Sequence, residues 1–150
     1  MTNTLFDESE RKRLATSIRS AGFSFTYDEP NDTYRIDQVG YQNRSVDARV
    51  SLEEYLDVRL IKFEATVVAE KSSFESCLVG VFFGNSKSKI SSFHPREIVE
   101  GQSTGYQIVA RSFLYADYYS DAELKALLQI FIKEVDEIDD ELIAIVEKAK

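Results

Sequence analysis

Residues 120–150 read SDAELKALLQIFIKEVDEIDDELIAIVEKAK. Leu124, Leu128, Phe131, Val135, Ile138, Leu142 and Ile145 alternate steps of four and three. That spacing keeps side chains on one face of a helix, so the segment predicts one long helix with an apolar seam. Ser120 and Glu123 have capping-box spacing at its start. Leu127, Ile132, Ile143 and Val146 broaden the seam at both ends. A wide stripe suits packing on a sheet better than a two-stranded coil. Glu134, Asp136, Glu137, Asp139, Asp140 and Glu141 crowd the middle of the helix, and a solvated face is the expected role of this acidic run.

The opposite end of the chain also opens on a helix. Asp7 with Glu10 predicts an N-cap and its partner, Leu14 and Ile18 lie one turn apart, and Gly22 suits the stop. The period then changes to two. Phe23, Phe25 and Tyr27 alternate with polar residues, Pro30-Asn31-Asp32 makes a turn, and Tyr34, Ile36 and Val39 form a second strand. Gly40 to Arg44 reads as a further turn. Val46, Ala48, Val50 and Leu52 form a half-buried strand. Leu56, Val58 and Leu60 resume the alternation, but Ile61, Phe63, Ala65 and Val67 carry it in the other phase. A bulge or bend is therefore expected at Leu60-Ile61.

Residues 73–84 fit two templates. Cys77, Val79, Val81 and Phe83 alternate as in a strand, whereas Phe74, Leu78, Val81 and Phe82 share a helical face. Ser72 with Glu75 has capping spacing, and Gly84-Asn85 is a plausible helix stop. Beyond it, Ile90 and Phe93 start a strand that Ile98 and Val99 extend. Gly101 to Gly105 is a turn, and Tyr106, Ile108, Ala110 and Ser112 form the last strand. The order implies an α+β domain: one antiparallel sheet flanked by an N-terminal helix, a central helix if residues 73–84 are helical, and the long C-terminal helix.

Composition narrows the function. The 150 residues suit a single domain spanning 1–150. The apolar fraction is 43% and the charged fraction 29%, ordinary values for a globular chain. The longest apolar run, Cys77 to Phe83, falls far short of the ~20 residues of a membrane span. The N-terminus has no basic start followed by an apolar core, and a lone cysteine makes no internal disulfide, so a cytoplasmic location is expected. Asn43-Arg44-Ser45 matches a glycosylation sequon, read as chance in such a chain. A net charge of −8 repels phosphate backbones, which argues against nucleic-acid partners.

Reactive chemistry is sparse. His94, the only histidine, has no neighbouring Cys or second His for a zinc set and reads as a surface-loop residue. Cys77 sits among apolar residues and reads as an inert buried thiol. Asp136 with Asp140 and Glu137 with Glu141 are each one turn apart, but the loop of a calcium hand is absent. Gly101–Gly105 lacks the lysine and the helix of a phosphate loop. Tyr106, Tyr115, Tyr118 and Tyr119 suit a recognition surface or half-buried strand ends. No catalytic, cofactor-binding or metal-binding residue is assigned, and no enzymatic activity is expected.

Leu14 to Phe25, Ser45 to Leu52, Ile61 to Ala69, Phe82-Phe83-Gly84-Asn85-Ser86 before Ile90 to Phe93, and Tyr106 to Leu114 before the acidic helix together resemble the YbjN-like family. That family shares its fold with type III secretion chaperones. The resemblance spans about residues 10 to 148 and favours a helix over 73–84. It implies a small acidic bacterial protein that works by contact, often as a homodimer. The chaperones cradle extended stretches of a secreted protein, and YbjN-like proteins are described as candidate sensory or regulatory factors. No catalytic residue comes with the family. The expected function is non-catalytic protein binding, chaperone-like or regulatory. The alternatives are a small-ligand-binding regulatory domain and an acidic inhibitor or immunity protein of a basic partner.

Overall fold

Elementary pattern rules carry through to most of the architecture. The computed structural model describes residues 6–37 and 46–150. Helix α1 (Glu8–Ser20) starts at a complete Asp7–Glu10 capping box. It stops at Gly22, whose φ of +90° lets its amide reach the carbonyl of Arg19 while Phe23 reaches Ile18. Strands β1 (Phe25–Asp28), β2 (Thr33–Ile36), β3 (Ala48–Tyr55) and β4 (Val58–Ser72) follow. The expected extension of β2 to Val39, the turn at Gly40–Arg44 and the sequon lie outside the described residues.

Helix α2 (Phe74–Lys87) settles the ambiguous segment as a helix. Its cap is Ser73 rather than Ser72, because the Ser73 hydroxyl accepts from the Ser76 amide at 3.2 Å. Gly84-Asn85 does not stop it; the helix continues to Lys87. Strand β5 (Ser92–Glu100) runs through Pro95 on the sheet edge, where a missing amide costs no ladder bond. Ile90 belongs to the preceding loop, not to the strand as expected. Strand β6 (Ser103–Tyr115) and helix α3 (Asp121–Lys148), capped by Ser120, complete the chain.

The strands form a six-stranded antiparallel sheet among the described residues, in the order β1-β2-β3-β4-β6-β5. Ala48, Val50, Ile61, Phe63, Ala65, Phe93, Ile108 and Ala110 point to one face and are buried in a single core. Leu124, Leu128, Phe131, Ile132, Val135, Ile138 and Leu142 of α3 lie against them, so the seam is covered by the sheet and by the other helices. Each fully buried Leu, Ile or Phe contributes about 1.5–3 kcal/mol.

The bulge expected at Leu60-Ile61 is not there. Both ladders of β4 run in continuous register through Leu60 and Ile61; the irregularities fall between Thr66 and Ser72. The two phases of alternation are the two faces of one strand. Leu56-Asp57 is a two-residue hairpin turn between Tyr55 and Val58.

Candidate functional site

A strand's alternate residues must face away from the helices, and here no helix among the described residues packs on that second face, although Val109 on it is fully buried. Register places Arg35, Arg49, Glu64 and Arg111 in one row across it. Glu64 is the hub. It accepts from Arg111 Nε at 2.8 Å and from Arg96 at 3.1 Å, with Lys62 at 3.5 Å. Burial pushes the Glu64 carboxyl up, but the Arg111 hydrogen bond and the surrounding cations outweigh it and hold the group below its ordinary value. Arg96 also donates to Thr66 at 3.1 Å and to Gln107 at 3.0 Å. Beside this band a polar crevice of about 170 Å³ is lined by Asp47, Arg49, Glu64, Thr66 and Arg96.

Toward the β3–β4 turn the same face becomes apolar. Tyr55 pairs with Val58, Leu60 with Tyr115, and Lys62 with Phe113. Tyr55 is 69% exposed, Leu56 80% and Tyr115 65%, with Val58 and Phe113 also exposed. These residues, with Leu60 and Leu114, line an open cleft of about 500 Å³. Contiguous apolar exposure of this kind makes the cleft the candidate contact surface. Arg59 ties the hairpin to α1 by donating to Glu10, and to the β6–α3 loop by donating to Asp117 at 2.9 Å.

A larger groove, about 720 Å³, separates α1 from the β1–β2 hairpin. Its cations are already engaged: Arg11 donates to both oxygens of Asp32, and Arg19 stacks 4.7 Å from the Phe25 ring centre. Tyr27 donates to the same Asp32 at 2.6 Å, and that bond, with burial, pushes its hydroxyl up to about 12.

No protein-family model and no curated protein matches this sequence. Among solved structures, the chain is similar to the crystal structure of YbjN from E. coli, described as a candidate transcription regulator. The TM-score is 0.66, over 89% of this chain and 91% of that one, at 13% identity. The chain has a YbjN-like fold. At that identity the likeness carries the fold and no residue role.

Within the YbjN-like fold, the residues singled out from sequence scatter. His94 is not in a surface loop: it is half-buried on β5, with Nε2 2.9 Å from the Ser92 hydroxyl. Burial, then Arg111, lowers its pKa, while Glu64 opposes them. Cys77 is buried, which pushes its thiol up, as an inert thiol requires. The tyrosines divide. Tyr119 is buried under Arg13 at 4.3 Å and Tyr106 packs on Phe74, whereas Tyr115 and Tyr118 are exposed.

The acidic run of α3 is not uniformly solvated. Asp136 and Asp139 are buried, on the stripe they share with Ile132 and Ile143, and both are held by polar or electrostatic contacts. Glu134 caps the α2–β5 loop, accepting from the amides of Lys89, Ile90 and Ser91 at 2.8, 3.3 and 2.9 Å. The exposed hairpin cleft and the Glu64 hub escaped sequence reasoning. The available signal was the phase of Leu56, Val58 and Leu60, opposite to that of Ile61 and Phe63.

Proposed function

We propose that this chain is a non-catalytic, regulatory protein-binding protein of the cytoplasm that uses the sheet face on which no described helix packs. One observation carries the reading: the helices cover one sheet face, while the other ends in exposed Tyr55, Leu56, Val58, Phe113 and Tyr115. Large rings beside aliphatic side chains are the residues that anchor protein interfaces. The regulator description of the E. coli YbjN structure is in keeping with it. The net charge of −8 directs the regulation through protein rather than through DNA phosphates.

Affinity purification at native expression, with the wild-type chain and with Tyr115→Ala, tests the proposal. A protein retained by the wild type and lost from the variant supports it. A turnover reaction abolished by one side-chain exchange overturns it. The homodimer belongs to the same proposal and is tested by light scattering: a mass near twice 17.1 kDa supports it, and 17.1 kDa at all concentrations removes it.

A further inference from the structure

Leu56 and Asp57 make the whole β3–β4 turn, and both have left-handed backbone, with φ of 48° and 66°. Such turns are ordinarily built from Asn, Asp or Gly, because a Cβ crowds the following carbonyl in that region. Aspartate fits this preference; leucine does not. Packing returns nothing to Leu56, which is 80% exposed. Backbone strain kept at an exposed apolar side chain points to a role in contact.

The charges around the cleft are one-sided. Lys62 is taken by Glu53 at 3.0 Å and Glu64 at 3.5 Å, and Arg59 by Glu10 and Asp117. Asp57, in the turn itself, is exposed and has no ion-pair partner among the described residues. The cleft therefore offers apolar surface with a spare carboxylate at its turn and no spare cation. A second copy would bring another such carboxylate and no cation to the cleft, in a chain of net charge −8.

We infer that the hairpin cleft docks an amphipathic segment of a partner protein that joins apolar side chains to Lys or Arg. The inference rests on the contact reading above and names its partner's chemistry. Leu56 enters the partner's apolar stripe, Tyr55 and Tyr115 flank it, and Asp57 meets a cation.

Three fluorescent synthetic peptides of equal length and helical spacing test it by anisotropy against the full chain: leucine with lysine, leucine with glutamate, and serine with lysine. The leucine–lysine peptide should bind about tenfold or more tighter than either control. Leu56→Asn should weaken it by a similar factor while the unfolding temperature holds or rises, which separates lost contact from lost fold. Equal binding of either control overturns the inference. So does leucine–lysine binding that survives both Leu56→Asn and Tyr115→Ala; if Arg111→Ala then removes it, the contact function stands at another place on the sheet. Dimerisation that Leu56→Asn abolishes would give the cleft to a second copy and also overturn the inference. If no peptide binds while Tyr115→Ala still loses a native partner, the basic amphipathic chemistry is wrong and the contact function remains.

Discussion

Gly84 lies against the ring of Phe93: a Cβ placed on it would stand 2.7 Å from Cγ and 2.8 Å from Cδ2. The contact seats α2 on β5, and Phe93 is only 1% exposed, so the ring has no room to retreat. Alanine ordinarily gains about 1 kcal/mol over glycine inside a helix. Here overpacking, about 1–3 kcal/mol, opposes and exceeds that gain. Gly84→Ala should lower the urea midpoint, and Phe93→Leu added to it should recover part of the loss.

Leu56→Asn should act in the other direction. It places a residue that tolerates left-handed backbone in a turn that demands it, and it removes exposed apolar surface. A gain of about 1 kcal/mol is expected in equilibrium unfolding. A loss instead would show that Leu56 packs in solution.

Glu64→Gln should remove the charge that Arg111, Arg96 and Lys62 share. Hydrogen bonds to charged groups contribute about 1.5–3 kcal/mol each, less where water screens them, so a loss of about 1–3 kcal/mol at pH 7 is expected. The folded-state pKa of Glu64 lies below its ordinary 4.5. Its contribution is therefore complete above that value and fades as pH falls through the folded pKa. Urea midpoints of wild type and variant should stay apart above pH 4.5 and converge below it.

Glu134→Ala should release the amides of Lys89, Ile90 and Ser91. Burial raises the Glu134 pKa, but these bonds lower it overall, so its contribution too is lost on acidification. Hydrogen exchange at the three amides should quicken in the variant at neutral pH. Unchanged exchange would show that the loop is held by its own turn.

The ends of the chain were legible because their signals are local. Asp7 with Glu10, Gly22 and Ser120 act within one turn of backbone, and the seam of α3 repeats long enough to fix its face. The α2 helix was harder, because Cys77–Phe83 fits both periods and its propensity favours strand; packing against Ile108 and Phe93 decides it. The hairpin turn was hidden because leucine is a poor signal for left-handed backbone, so a change of face looked like a slip of register. The acids of α3 were misread for a different reason. Charge alone does not say that Asp136 and Asp139 share a stripe with Ile132, or that Glu134 reaches a loop 43–45 residues away in sequence.

The sheet order also sets a schedule. Strand β4, with fifteen residues, is neighbour to β3 on one side and to β6 on the other, yet α2 and β5 are synthesised before β6. A chain leaving the ribosome therefore holds the inner edge of β4 unsatisfied until residue 115 has emerged. During that interval another nascent strand can add to the open edge, the general hazard of an unpaired strand.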